Sequence, residues 1–307
     1  MRRALLAVTV FFSTLVFGTL AILFCLLVPT GNPLLWFARP WARSILAVAG
    51  VSVRARGGER LATLGPVLLL TNHQSLFDVL ALIVALPGQY RMIAKRELFA
   101  IPVFGWAISA AGFIAINRSD REQAFKGLDR AAEAMRRGRS IVIFVEGTRS
   151  RDGSLLPFKK GAFILALRSG RPIVPVTISG SRAVLARESL AVRPGPVDVV
   201  VGEPITTAGL EIPDRDVLMA VTRRAVEAEQ ELARGNAAGA AIRSIGASGT
   251  AELVRRLAEL AEDPGWEAAL RPIVAASGGD TSSSEARLLY DLQAALSSRQ
   301  APSGGRP

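Results

Sequence analysis

An α/β domain held at a membrane by an N-terminal helix or two-helix hairpin is the architecture this sequence predicts. Three observations carry that prediction. No charged residue occurs between Ala4 and Ala38; from Arg54 onward short β-branched runs alternate with amphipathic stretches; near Gly235 the chain turns to glycine, alanine and serine. Residues 4–28 exceed both the roughly 20 apolar residues a spanning helix needs and the usual core of a signal peptide. Leu26-Leu27-Val28-Pro29 is also too bulky for a small-residue cleavage site. Pro29-Thr-Gly-Asn-Pro33 turns the chain, and residues 34–53 form a second, weaker apolar stretch interrupted by Arg39 and Arg43. Either the first helix spans once, or the two form a hairpin in one leaflet with both basic ends at the same surface.

Residues 1–53 are therefore read as the anchor, 54–234 as the α/β domain, 235–250 as a linker and 251–307 as a helical or partly disordered tail. Within the domain, residues 67–71 predict a buried strand and 76–86 the helix after it. Residues 90–94 read as a short strand, 102–111 as a helix and 113–116 as another strand. Ser119 and Glu122 form a capping box for a helix that places Phe125, Leu128, Ala132 and Met135 on one face and ends at Gly138. Strands at 141–145, 173–178 and 197–201 and a helix over 162–167 complete the domain. In the tail, residues 251–262 and 285–296 suit amphipathic helices, and no chemistry-bearing motif occurs there.

The 307-residue chain is half hydrophobic, enough for one large core, and carries a formal charge of +11. That balance favours an anionic partner: nucleic acid, phospholipid headgroups, an acidic carrier protein or a phosphorylated substrate. Nucleic acid is disfavoured, because the arginines are scattered among apolar helices without aromatic–basic interleaving and the anchor holds the domain at a bilayer. The one cysteine, Cys25, lies in the apolar N-terminus, which excludes an internal disulfide and fits a cytosol-facing domain. One cysteine and one histidine also cannot supply the usual zinc ligand sets.

That histidine, His73, follows the apolar run from Val67 in Thr71-Asn-His-Gln-Ser-Leu-Phe-Asp78 and is the chain's one imidazole for proton transfer near neutral pH. Ser75 and Asp78 also spell a capping box, so Asp78 has a plain role as a helix-start residue. Five residues of continuous helix turn through about 500°, which would leave the two side chains roughly 140° apart. A His73–Asp78 pair thus requires His73 in the loop and Asp78 in the first turn. Ser75 is a poor nucleophile, since no Gly-x-Ser-x-Gly elbow occurs. Three further segments lie at or beyond predicted strands: Ala115-Ile-Asn-Arg118, Phe144-Val-Glu-Gly-Thr-Arg149 and Ile173-Val-Pro-Val-Thr177. Loops at the carboxyl ends of strands can share one pocket.

In this order and spacing the segments resemble the glycerolipid acyltransferase family, which includes the bacterial 1-acyl-sn-glycerol-3-phosphate acyltransferases, over residues 66–204. Lys95-x2-Leu98-x3-Pro102 and the continuation from Ser150 to Gly161 are similar too. The resemblance implies a single acyltransferase domain with a mixed central sheet flanked by helices. It implies transfer of a fatty acyl group from acyl carrier protein or coenzyme A to the sn-2 hydroxyl of lysophosphatidate, giving phosphatidate. The expected location is the inner membrane with the site facing the cytoplasm, and no cofactor or metal is expected.

Such a transfer needs a base for the hydroxyl proton, donors for the oxyanion and a basic clamp for phosphate. The resemblance assigns the base to His73 and its support to Asp78. It assigns substrate binding to Lys95, Arg118, Glu146, Gly147, Thr148 and Arg149. Arg149 leads for the phosphate, which guanidinium grips through two parallel hydrogen bonds, with Arg118 and Lys95 as helpers. A carboxylate beside phosphate repels it, which directs Glu146 toward glycerol hydroxyls or toward ordering Arg149. Gly147 either lets the backbone approach the ligand or simply permits the turn. Val174-Pro175-Val176 reads as pocket wall. One departure is Val145, where many members carry proline; it leaves room for glycerol 3-phosphate, a lyso-ornithine lipid or another lysophospholipid as acceptor. A reading of another class is a non-catalytic module that binds anionic lipid or an acidic carrier at the membrane.

Overall fold

Uncharged beyond Arg3, the N-terminal segment forms α1 (Arg2–Leu27) in the computed structural model, which describes residues 2–28, 30–117 and 120–233. The expected linker and tail lie outside the described residues. Arg3–Leu27, with mean hydropathy 2.5, is long and apolar enough by length and composition to cross a membrane. Ala21 and Cys25 are buried, whereas Leu5, Phe11, Phe12 and Leu15 stand exposed. A short turn leads into α2 (Pro33–Ala49), whose proline sits in the first turn where no backbone donor is required. The two helices pack together, and Trp41 Nε1 donates to Thr14 Oγ1 at 3.0 Å.

Gly50 ends α2 in the left-handed conformation (φ 66°) that a side chain would disfavour. The second apolar stretch is therefore helix only to Ala49. Its last three residues open a strand, β1 (Val51–Arg56), that joins the sheet.

The chain then alternates as expected: β2 (Leu68–Thr71), α3 (Phe77–Ala85), β3 (Tyr90–Lys95), α4 (Phe104–Ala110), β4 (Ile114–Ile116), α5 (Arg121–Arg136), β5 (Ser140–Phe144), α6 (Lys160–Ser169) and β6 (Ile173–Ser179). After these come α7 (Ser181–Val184), β7 (Gly195–Val201) and α8 (Arg215–Ala233). The sequence reading did not place α7 or α8. Val217, Leu218, Val221 and Val226 put a buried stripe on α8 at helical spacing.

The seven strands form one sheet in the order β1-β7-β6-β2-β5-β3-β4. β2 pairs in parallel with both β5 and β6, and β3 in parallel with β5 and β4. β7 runs antiparallel to β6 and carries β1 parallel to itself, which makes the sheet mixed. Both faces are covered, so the middles of β2, β5 and β6 read as continuous apolar runs, 68–70, 141–144 and 173–176. Leu69, Val142 and Val174 face α2 and α3, together with Leu35, Leu46, Phe77 and Leu82. Leu68, Leu70, Ile141 and Ile143 face α5, α6 and α8, together with Met135, Phe163 and Leu218.

Two predicted caps differ. The α5 cap is Asp120, immediately before the first helical residue Arg121, and it accepts from Gln123 N at 3.1 Å. The start of α3 is not a reciprocal capping box on Ser75. Only one half of the box forms: Asp78 Oδ2 accepts from Ser75 N at 2.8 Å, while Ser75 Oγ accepts from Phe77 N at 3.2 Å and Asp78 N donates to Ser75 O.

Candidate active site

β2 ends at Thr71, in register with Phe144 of β5 and Val176 of β6, so the loops after these strands emerge side by side at one edge of the sheet. Asn72 starts the first loop. Wholly buried, it pairs with the β6 main chain in both directions: Nδ2 donates to Ile178 O and Oδ1 accepts from Ile178 N, each at 2.8 Å. This fixes the residue before His73 as firmly as a strand pair would.

His73 Nδ1 lies 2.7 Å from Asp78 Oδ2. The same oxygen accepts from Gln74 N at 2.6 Å and Ser75 N at 2.8 Å. Loop and first helical turn thus bring the pair together, the arrangement that one continuous helix forbids. Asp78 is fully buried, and its Oδ1 has no hydrogen-bond partner among the described residues. With Nδ1 held as donor to a carboxylate, the neutral ring keeps Nε2 as its acceptor. The imidazole stacks on Phe144, ring centroids 3.9 Å apart and planes 22° from parallel, which fixes its second degree of freedom. What remains is a ring set in tautomer and orientation and only slightly exposed, suited to taking a proton from a hydroxyl.

Glu146 follows β5 in a turn and is buried. Its Oε1 accepts from His73 N at 2.7 Å and its Oε2 from Leu156 N at 2.8 Å. The carboxylate is therefore committed to two main-chain donors, where the sequence reading directed it to glycerol hydroxyls or to Arg149. Burial pushes its pKa up to about 7; the two backbone donors and Arg223 pull the other way, and the Asp78 charge adds to the rise. Arg223 of α8 reaches the same loop, donating from Nη1 to Leu156 O at 3.0 Å and stacking over Phe158. Neither Arg223 nor Leu156 carried a sequence signal, since one contact is to a carbonyl and the other is made by an amide.

Gly147 takes φ +71°, which permits the turn after Glu146. Thr148 is exposed and Arg149 half-buried. The loop is drawn beside the histidine by Ser150 N, which donates to His73 O at 2.8 Å, while Arg187 Nη1 holds Arg149 O at 2.8 Å. Lys95 ends β3 at the same edge of the sheet, exposed and paired with Glu97 at 3.2 Å. Arg118 lies outside the described residues. The structure thus gathers His73, Asp78 and Glu146 directly, sets Arg149 next to the His73 loop through Ser150, and leaves Lys95 on the surface. Pro175 and Val174 are strand residues of β6, and Val174 is buried in the core. Among the described residues no group of three or more His, Cys, Asp or Glu side chains is placed to hold a metal.

A carboxylate-supported histidine at the strand ends of a mixed α/β sheet, with arginine on the adjacent loop, is an arrangement able to take a proton from a hydroxyl beside a positive charge. Residues 52–179 match the family model described as Acyltransferase. The chain is 36% identical over 205 residues to 1-acyl-sn-glycerol-3-phosphate acyltransferase BAT2, chloroplastic, of Brassica napus, covering 62% of this chain and 59% of that protein. It is 35% identical over 192 residues to the human 1-acyl-sn-glycerol-3-phosphate acyltransferase beta, covering 62% and 68%. The crystal structure of the 1-acyl-sn-glycerophosphate (LPA) acyltransferase PlsC from Thermotoga maritima superposes with a TM-score of 0.62 at 26% identity, over 74% of this chain and 97% of that one. The chain belongs to this acyltransferase family. It spans about half to three-fifths of the length of the plant relatives BAT2 and Arabidopsis thaliana LPAT1.

Proposed function

We propose that this protein transfers a fatty acyl group from an acyl thioester to the sn-2 hydroxyl of lysophosphatidate, forming phosphatidate. The observation that carries the reading is the His73 Nδ1–Asp78 Oδ2 contact of 2.7 Å in a ring whose other nitrogen remains an acceptor. His73 Nε2 takes the proton of the acceptor hydroxyl as its oxygen attacks the thioester carbonyl. Asp78 stabilises the imidazolium that forms, and the proton then passes to the departing thiolate. No enzyme nucleophile or resident cofactor enters the reaction. Arg149 binds the acceptor's phosphate, with Lys95 and Arg118 contributing positive charge. Relatives named 1-acyl-sn-glycerol-3-phosphate acyltransferases support the choice of acceptor. The donor is the thioester of acyl carrier protein or coenzyme A.

The length and apolarity of α1 support residence at a membrane, with the catalytic domain on the cytoplasmic side of the inner membrane. The helices α1 and α2 act as the anchor, and the transferase domain begins with β1 (Val51–Arg56), three residues earlier than the sequence reading placed it, and runs through α8. The decisive experiment measures phosphatidate formation from lysophosphatidate and each thioester, with the parent chain compared against His73→Ala at matched folding. Product that disappears in the variant supports the reaction and its base; product that persists removes His73 from the mechanism.

A further inference from the structure

Residues 98–117 carry no charged side chain, yet they are not all interior. α4 packs on α1 with one side, burying Ala107, Ile108 and Ala111, and the 3-10 turn Arg96–Ala100 packs on α4. The opposite side leaves Leu98 at 38%, Ile101 at 45% and Trp106 at 58% exposure, where a solvent-facing helix of a soluble domain would carry charge. Contact with α1 is close. A methyl group on Gly18 would come within 2.7 Å of Val103 Cγ1, so this element lies directly against α1, a helix that itself leaves Phe11 and Phe12 exposed. Trp36 of α2 adds a second exposed indole, and the start of the turn carries exposed Lys95 and Arg96 against one exposed acid, Glu97, which pairs with Lys95, for a net positive charge.

We propose that the turn and α4 form a second membrane-contact element, seated in the interfacial layer of an anionic bilayer through Leu98, Ile101 and Trp106. Tryptophan at the rim, aliphatic side chains beyond it and lysine or arginine behind it match the layering of a bilayer surface. The occupant is lipid rather than protein because the surface is continuous with a helix long enough to cross a membrane. The consequence concerns the reaction. β3 leads into this element from the same sheet edge that carries His73, two strand spacings or roughly 10 Å away. Leu76, three residues beyond His73, is also exposed. Seating the element in lipid holds the site at the depth where a lysophospholipid presents its glycerol hydroxyl.

This inference rests on the reading that α1 lies in a bilayer, and the experiment separates the two. The full chain is reconstituted in phosphatidylglycerol–phosphatidylcholine vesicles containing brominated acyl chains. The fluorescence difference between parent and Trp106→Phe isolates the α4 indole, and Phe11→Trp against parent reports on α1. Quenching of both by brominated lipid supports the proposal. Quenching at position 11 alone, with Trp106 open to aqueous iodide or shielded from both quenchers by protein, overturns it. Absence of quenching at position 11 overturns the membrane reading of α1 and the proposal with it. As a second readout, Ile101→Ser with Trp106→Ser lowers turnover of a long-chain acceptor in vesicles roughly tenfold and leaves a dispersed short-chain acceptor within about twofold. An equal effect on both acceptors overturns the proposal.

Discussion

Replacing Asp78 by Asn changes one atom in the buried pair and isolates the value of its charge. Asn Oδ1 can occupy the place of Asp78 Oδ2 and still accept from His73 Nδ1, Gln74 N and Ser75 N, so the loop geometry survives. The new amide nitrogen then stands where Asp78 Oδ1 lies buried without a hydrogen-bond partner among the described residues. A buried donor left unpaired costs about 1–3 kcal/mol of stability, which a domain of this size tolerates. The catalytic loss is larger. With charge centres about 4 Å apart and an effective dielectric of about 20, the carboxylate stabilises the imidazolium by about 4 kcal/mol. That stabilisation exists only once the proton has moved, so it appears in the transition state and not in substrate binding. Asp78→Asn should therefore reduce kcat about a thousandfold with KM within a few-fold of parent. The assay is steady-state acyl transfer from a thioester to lysophosphatidate, read by thiol release. A kcat within tenfold of the parent's would show that the charge of Asp78 contributes little and that the pair is chiefly a helix-start device.

The other predictions draw on neighbouring contacts. The folded-state pKa of Glu146 is raised from 4.5 to about 7, so between those values the folded protein binds more protons than the unfolded chain. Its stability contribution is present below pH 4.5 and is lost as pH rises through 7, a fall of about 3 kcal/mol at most. Glu146→Gln should flatten this dependence in denaturation midpoints taken from pH 4.5 to 8 and lower kcat, because an amide accepts from only one of the His73 and Leu156 donors. A slope equal to the parent's would rule out Glu146 as its source. Asn72→Ala strands both Ile178 main-chain groups and should cost about 2–4 kcal/mol in denaturant unfolding; a loss under about 0.5 kcal/mol would mean the β6 edge finds other partners. Arg149→Ala should raise KM for a phosphate-bearing acceptor on the order of 10–100-fold, with Arg149→Lys recovering part of it, because ammonium supplies charge without the paired donors of guanidinium. An unchanged KM for the acceptor would place the phosphate elsewhere.

What could be read from the sequence was what side chains announce through their own pattern. Residues 68–70, 141–144 and 173–176 are apolar without interruption because both faces of those strands are covered, and His73, Asp78 and the Glu146–Arg149 segment stand at the ends of two of them. β1 was hidden because Val51 and Val53 continue an apolar stretch, and the strand they pair with begins only at Gly195. Gly50 was the available signal, a helix stop in front of an alternating run. The Asp120 cap was hidden by a serine one residue earlier that fits the same pattern. The work of Asn72 and Glu146 was illegible for another reason: their partners are the amides and carbonyls of Ile178, His73 and Leu156, groups that every residue possesses.

Those main-chain contacts also limit how the chemistry can be divided. Three successive amides of the first loop are already engaged, His73 N by Glu146 and Gln74 N and Ser75 N by Asp78. Gly147 N is taken by Phe144 O. An oxyanion forming during acyl transfer needs donors aimed at it at about 2.7–3.1 Å, and the loop that carries the base has spent its own. Stabilisation of that charge must come from beyond the His73–Ser75 amides, and Arg149 is the candidate because its neighbour Ser150 donates from N to His73 O. In the proposed mechanism proton transfer and charge stabilisation then fall on separate loops, joined by the Ser150 N to His73 O bond, the Gln74 Nε2 to Gly153 O bond and the Glu146 carboxylate. A rigid base loop is the result. Asp78 holds the imidazole and Glu146 holds the His73 main chain, so on the proposed reading the adaptable part of the site is the loop that carries Arg149.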